Sequence, residues 1–132
     1  MGTRHQTAII LLSDIQEFTK LVREDEEKAI EVLKRQRMVV EEQVVAFKGK
    51  IIHHREDKSL AYFDSSVSAT KCALKLQKEV QSDSPEVELS IGLHRGEIIF
   101  DGDNVLGTSI SVASHIESIG CSGSIMLSTE VY

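Results

Sequence analysis

Two aspartates stand where elements of the chain are expected to end, and their carboxylates could share divalent cations. Asp14 lies just beyond a short apolar run at 7–12, and Asp57 lies in the polar segment 55–58 between two further apolar runs. Carboxylate oxygens are the hard ligands that Mg²⁺ prefers. Each residue also has an ordinary role open to it, because Asp14 can cap a following helix and Asp57 can stabilise a turn.

The apolar patterning predicts the elements that would position these carboxylates, in the order βαββαββαβ. The predicted strands are 7–12, 51–54, 60–63, 87–93, 97–100 and 124–127, and the predicted helices are 24–47, 65–81 and 108–119. A turn at Arg95 and Gly96 is expected to join two of the strands into a hairpin. The first helix is expected to end at Gly49 and to bury an apolar stripe formed by Ile30, Leu33, Val40, Val44 and Phe47.

This order predicts an α+β fold with a ferredoxin-like βαββαβ core and helices on one face of the sheet. The first and third strands of such a sheet are neighbours, so Asp14 and Asp57 are expected to meet at one edge. The other face needs cover, and a partner subunit is the expected source.

Length and composition exclude several classes of protein. The 132 residues suit one domain, expected over 1–132. The net charge of −6 and the absence of a basic stripe argue against nucleic acid and anionic membranes as partners. The longest apolar run, at 8–12, is too short to span a bilayer. Cys72 and Cys121 lack CxxC spacing and are interpreted as free thiols in a reducing compartment, which favours the cytoplasm.

The neighbouring residues His53 and His54 are the clearest zinc signal in the sequence. Adjacent residues of a strand point to opposite faces, so the pair is not expected to bind one ion.

Four motifs in order resemble those of the class III adenylate and guanylate cyclases. Residues 12–19 read LSDIQEFT, similar to the family's strand followed by D-I-x-G-F-T, and residues 56–63 read EDKSLAYF, similar to its G-D-G-x-x-A-x-F hairpin. Residues 91–97 read IGLHRGE, similar to I-G-I-H-x-G-E. Residues 107–117 read GTSISVASHIE, similar to G-x-x-V-N-x-A-A-R-L-E. The chain ends earlier than a full family domain, so a C-terminally short cyclase domain is expected.

The resemblance implies a substrate and a mechanism. Family members convert ATP or GTP to a 3′,5′-cyclic nucleotide and pyrophosphate with two ions, Mg²⁺ or Mn²⁺. The corresponding metal positions are Asp14, Ile15 and Asp57. The backbone N–H groups of Ile15, Gln16, Glu17 and Phe18 would face the phosphates. The family's site lies between two subunits, so a homodimer or a heterodimer with another cyclase domain is implied.

Several positions depart from the family pattern. Ser111 stands at the position of the transition-state Asn, and His115 stands at that of the Arg. An arginine on the developing phosphate charge contributes about 10³–10⁵ in rate in other phosphoryl transfers. A neutral histidine does not replace that charge. Weak or absent turnover is therefore expected from a homodimer.

Further departures concern base selection and backbone freedom. The two base-selecting positions are occupied by His53 and Asn104, so the choice between ATP and GTP stays open. Glu17 and Glu56 stand where the family usually has glycine. Glu17 adds negative charge near the implied phosphate site, and Glu56 removes an easy positive-φ position from the turn. The sequence leaves two hypotheses, a nucleotidyl cyclase and a catalytically silent cyclase-homology module that dimerises or binds metal–nucleotide.

Overall fold

The central element of the sheet is β1, Arg4–Ile15, a long strand that pairs with a neighbour along each side. The computed structural model describes residues 4–83, 87–101, 104–106 and 125–127. The other described strands are β2 Lys50–Arg55, β3 Lys58–Phe63, β4 Leu89–Asp101, β5 Asn104–Leu106 and β6 Ile125–Leu127. The described helices are α1 Phe18–Glu24, α2 Glu26–Ala46 and α3 Ser66–Asp83.

The strands lie in the order β2-β3-β1-β4-β5, and β6 pairs with β4 in parallel. Both neighbours of β1, the strands β3 and β4, run antiparallel to it. The order β4-β1-β3-β2 is the one that the ferredoxin-like prediction requires, so the predicted fold class is confirmed.

The sheet separates two apolar clusters because successive residues of a strand point to opposite faces. On the helix face, Ile9, Leu11 and Phe63 pack with apolar residues of α2 and α3. On the second face, a smaller cluster consists of Ala8, Ile10, Leu12, Leu60, Tyr62 and Ile98.

The six residues of this cluster are at most 9% exposed within the single chain. Ile52 and Phe100 pack against them from the same face. These six residues are thus buried within the single chain, and a partner subunit that covers this face stays a prediction.

The long first helix differs from its prediction in length and phase. A separate helix, α1, precedes it, and Asp25 separates the two helices by taking an extended conformation. Its side chain accepts a hydrogen bond from the Lys28 N–H at 3.1 Å and so caps α2. Val40 and Val44 are buried as predicted, whereas Ile30 is exposed. The buried line runs instead through Ala29, Val32 and Gln36.

The predicted turn at Arg95 and Gly96 is wrong. Both residues lie inside β4, where they pair with Ile9 and Ala8 of β1. Because β1 offers ladder partners along its full length, β4 continues as one strand and forms its hairpin with β5 instead. Helix α3 and strand β6 agree with the sequence patterning, and the predicted helix at 108–119 lies outside the described residues.

Candidate metal centre

Asp14 lies near the end of β1, on the second face of the sheet. Its register partners are Lys58 in β3 and Ser90 in β4. The alternation of the strand places its side chain on the same side as Leu12. The Lys58 Nζ lies 3.5 Å from the Asp14 Oδ2, and the Asp14 side chain is 17% exposed.

Asp57 reaches Asp14 because it sits in the tight turn between β2 and β3. Arg55 and Lys58 close this turn as a register pair, with Glu56 and Asp57 between them. The Asp57 carboxyl lies close enough to Asp14 for the two groups to affect each other's ionisation. The structure thus brings together the two carboxylates that the sequence predicted to converge, while their role as metal ligands stays a prediction.

The environment of the pair favours the protonated form of Asp57 below about neutral pH in the metal-free chain. Burial, the hydrogen bond to Asp14 and the negative charge of Asp14 together raise the pKa of Asp57 to about 7. Two carboxylates in contact repel each other when both are ionised, so one keeps its proton. A divalent cation between them would remove that repulsion and displace the proton.

The donor set fits a hard divalent cation. Mg²⁺ is usually held by one or two carboxylates, with waters and substrate phosphates completing the coordination. Over the described ranges, no group of three or more histidine, cysteine or acidic side chains is arranged to hold a metal. The pair therefore suits an ion that is shared with a ligand, and the Lys58 ammonium group would have to yield its place beside Asp14.

The segment that follows Asp14 was expected to face phosphates. The Gln16 N–H donates to the Glu88 carbonyl at 2.8 Å, and the Gln16 side chain donates to the Ser90 hydroxyl at 2.5 Å. Gln16 is thus engaged with the neighbouring chain segment. The predicted contact with phosphate therefore rests on three backbone N–H groups. They are those of Glu17 and Phe18, at the start of α1, and that of Ile15.

The two glutamates at the family's glycine positions both take the left-handed backbone conformation. Glu17 has φ 55° and Glu56 has φ 51°. The chain therefore keeps the turn geometry that glycine would adopt freely, at a cost of roughly 1–2 kcal/mol per residue.

His53 lies on the same face as Asp14, since it pairs with Leu60 in β3. Burial and the nearby Arg55 charge lower the pKa of His53, which favours a neutral ring. Its Nδ1 is buried and has no hydrogen-bond partner among the described residues. Asn104 begins β5, and the positions of Ser111 and His115 lie outside the described residues. The roles of these residues stay predictions.

The sequence did not reveal the side chains that surround the hairpin carrying Asp57. Lys58 was interpreted only as part of a turn, although its register places it opposite Asp14. His54 accepts or donates hydrogen bonds at both ring nitrogens, to Ser59 Oγ at 2.7 Å and to Glu41 Oε1 at 3.0 Å. The two adjacent histidines thus lie on opposite faces, as predicted.

Comparison with known proteins identifies the family. A family model for the adenylate and guanylate cyclase catalytic domain matches residues 2–132. "Putative adenylate cyclase 3" of Rhizobium meliloti is 28% identical over 136 residues, a match that covers 98% of this chain and 23% of that protein. The chain therefore spans about a quarter of the length of that relative.

Solved structures agree with the fold. The adenylate/guanylate cyclase/hydrolase from Silicibacter pomeroyi matches with a TM-score of 0.84 and 25% identity, over 98% of this chain and 80% of that one. The adenylyl cyclase CyaB from P. aeruginosa matches with a TM-score of 0.88 and 21% identity, over 100% and 81% of the two chains. Because the family model covers nearly every residue, the chain belongs to the family of adenylate and guanylate cyclase catalytic domains.

Proposed function

We propose that this chain supplies the metal-binding half of a nucleotidyl cyclase site, in which Asp14 and Asp57 bind Mg²⁺ or Mn²⁺ together with ATP or GTP. The observation that carries the proposal is the convergence of the two carboxyl groups: Asp57 precedes Lys58, the register partner of Asp14, and its carboxyl interacts with that of Asp14. Nothing in the packing of a turn requires a second carboxylate beside it. A cation bound by both carboxylates would offset their mutual repulsion.

The chemistry follows from charge. Divalent ions on the two carboxylates would neutralise the triphosphate and favour attack of the ribose 3′-oxygen on the α-phosphorus, with pyrophosphate as the leaving group. The N–H groups of Glu17 and Phe18 would donate to phosphate oxygens. A neutral His53 ring, on the same face as Asp14, has one donor and one acceptor nitrogen with which to contact the base.

The second half of the site limits turnover. Ser111 is too short to orient the ribose as an asparagine would, and His115 carries less positive charge than an arginine at neutral pH. We therefore expect a homodimer to turn over weakly. A heterodimer would restore the reaction if its partner supplied the asparagine and arginine opposite Asp14 and Asp57.

These same two replacements favour a second candidate function. A chain that binds metal–nucleotide and a partner subunit, without product formation, would act as a silent cyclase-homology module in signalling. Among the described residues, no helix has the length and apolarity needed to cross a membrane. A cytoplasmic location belongs to the proposal, because nucleoside triphosphates are its ligands.

Binding and turnover should be measured on the same samples. The chain is incubated with Mn²⁺ and ATP or GTP, cyclic product is quantified, and thermal stability is followed with and without nucleotide. Asp57→Ala removes one of the paired carboxylates. Asp64→Ala is the matched control, because Asp64 is an exposed aspartate that follows β3 and bonds to Gln6.

The outcomes separate the two functions. Cyclic product that is lost in Asp57→Ala and kept in Asp64→Ala establishes the cyclase. A metal-dependent stabilisation by nucleotide without product, lost in the same variant, establishes the silent module. No stabilisation of the wild-type chain by any metal–nucleotide pair would refute the proposed site.

A further inference from the structure

Two side chains on one face of helix α2 contact the β2–β3 hairpin, which carries Asp57. Arg37 and Glu41 are one helical turn apart, so their side chains lie on the same side of α2. Arg37 Nη2 donates to the Glu56 carbonyl at 2.8 Å. Glu41 Oε1 lies 3.0 Å from His54 Nε2, and the other ring nitrogen of His54 lies 2.7 Å from Ser59 Oγ.

The Arg37 bond acts on the peptide unit that precedes Asp57. A peptide group is planar, so the Glu56 carbonyl, the Asp57 N–H and the Asp57 Cα lie in one plane. Fixing the direction of that carbonyl therefore fixes the position from which the Asp57 side chain starts. A hydrogen bond from a charged guanidinium is about twice as strong as a neutral one, which suits it to this task.

The turn needs such an anchor because Glu56 is not a glycine. Its φ of 51° is a conformation that L-residues disfavour. Without the bond from Arg37, the turn would gain by relaxing toward a negative φ, and the peptide plane before Asp57 would rotate. The link from Glu41 through His54 to Ser59 holds the strands but does not touch this peptide unit.

We propose that Arg37 is a positioning residue for the metal pair, which sets the Asp57 carboxylate against Asp14 by holding the Glu56 carbonyl. The inference rests on the proposed function for its metal. It adds a residue of α2, outside the four cyclase-like motifs, to the machinery of the site.

Mn²⁺ binding by the metal-free full chain, measured by calorimetry with the metal alone, tests this role. Removal of a residue that orients a metal ligand typically costs about 10–100-fold in metal affinity, and we expect Arg37→Ala to fall in that range. Arg37→Lys keeps a donor and should retain part of the affinity. Lys34→Ala removes an exposed cation of the same helix and should leave the affinity unchanged.

A second variant separates positioning from general stability. Glycine adopts a positive φ without strain, so Glu56→Gly combined with Arg37→Ala should recover most of the lost Mn²⁺ affinity. A loss of affinity that the glycine does not recover, or wild-type affinity in Arg37→Ala, would overturn the proposal.

A measurement without metal distinguishes failure of the Arg37 anchor from failure of the metal site. The Asp57 amide resonance in the NMR spectrum reports the same peptide plane, and Arg37→Ala should shift it while Lys34→Ala does not. If the wild-type chain binds no Mn²⁺, the proposed function fails. A shifted Asp57 amide would then still support the anchor, and an unshifted amide would overturn it.

Discussion

At the scale of single residues, the contact between Asp14 and Asp57 is the feature that the rest of the site depends on. The Lys58 ammonium group, 3.5 Å from Asp14, partly balances the negative charge of the pair. The pKa of Asp57 is still far above the usual range for an aspartate, because the group is buried beside another carboxyl. The pair is therefore unfavourable in the empty chain at neutral pH. That cost is what a divalent cation would relieve.

This contact makes the stability of the metal-free chain depend on pH. The pKa of Asp57 is about 7 in the folded chain, against an ordinary value of 3.8, so the folded state binds the proton more tightly than the unfolded state. The free energy of unfolding should therefore fall as the pH rises from about 4 to about 7. Asp57→Asn should remove this dependence and be more stable than the wild type near pH 8.

Urea unfolding with a chelator present, at about pH 5 and about pH 8, measures the difference. Asp64→Asn serves as the control, because Asp64 is exposed. Parallel pH profiles for the wild type and Asp57→Asn would show that the two carboxyl groups do not interact in the folded chain.

At the scale of elements, the end of α2 fixes where the hairpin begins. Lys48 follows the helix with φ 62°, and its N–H donates to the Val45 carbonyl at 3.0 Å while the Gly49 N–H donates to the Val44 carbonyl at 2.8 Å. Gly49 is required for a different reason. A Cβ at Gly49 would overlap the Phe63 ring, with ring carbons at 2.7 and 2.8 Å.

These neighbouring positions should respond to substitution with opposite signs. Lys48→Gly relieves a left-handed conformation and should stabilise the chain by about 1 kcal/mol. Gly49→Ala inserts a methyl group against Phe63 and should destabilise it by about 1–3 kcal/mol. Thermal or urea unfolding measures both, and Glu42→Gly inside α2 should cost about 1 kcal/mol as the control for a helical position. Equal changes in stability for Lys48→Gly and Glu42→Gly would contradict the left-handed conformation of Lys48 at the end of α2.

The sequence predicted elements well where periodicity was unambiguous. The apolar positions of the run at 87–93 are buried in β4 or just before it, and Ala69, Ala73, Leu76 and Val80 are buried in α3. Gly96 was misleading because a glycine within a strand resembles a turn signal, and only the length of β1 shows that the ladder continues. The phase of α2 was missed because the break at Asp25 depends on a cap that the apolar pattern does not encode.

The site was predictable to the extent that its residues terminate elements. Asp14 and Asp57 follow from strand ends and neighbouring strands, and their convergence needs no more than the strand order. Arg37 could not be found in this way. Its side chain acts on a backbone carbonyl of the β2–β3 turn, far along the chain, and no residue type or spacing in α2 marks that contact.

At the scale of the whole molecule, the proposal divides the reaction between two halves of the site. The metal half is made of described residues of one chain, and the positions of Ser111 and His115 supply the other. In a dimer of the implied kind, each site combines the metal half of one subunit with the second half of its partner.

Restoring the second half should raise turnover. Ser111→Asn combined with His115→Arg replaces a short hydroxyl and an imidazole with the groups found in the family pattern. Because one such arginine contributes about 10³–10⁵ elsewhere, cyclic product should rise at least about tenfold. Thermal stability and nucleotide binding control for folding. Unchanged turnover in a folded double variant that binds nucleotide would contradict the assignment of these two positions.

Complementation tests whether the halves come from different subunits. A chain that carries Ser111→Asn, His115→Arg and Asp57→Ala has only the restored half, and the wild type has only the metal half. Mixed together, they should form more product than either alone, whereas Asp57→Ala mixed with the restored triple variant should form none. If the wild type mixed with the triple variant is inactive while the Ser111→Asn, His115→Arg double variant is active, both halves of the site lie within one chain.

The most direct test of the paired aspartates is where Mn²⁺ binds on the chain. Bound Mn²⁺ broadens the NMR signals of nearby amides, so a titration of the isotope-labelled chain locates the ion without any assay of product. We expect the amides of Ile15 and Lys58, beside the two aspartates, to broaden first, and Asp57→Ala to abolish this selective loss. Broadening that begins elsewhere, or that persists unchanged in Asp57→Ala, would contradict it.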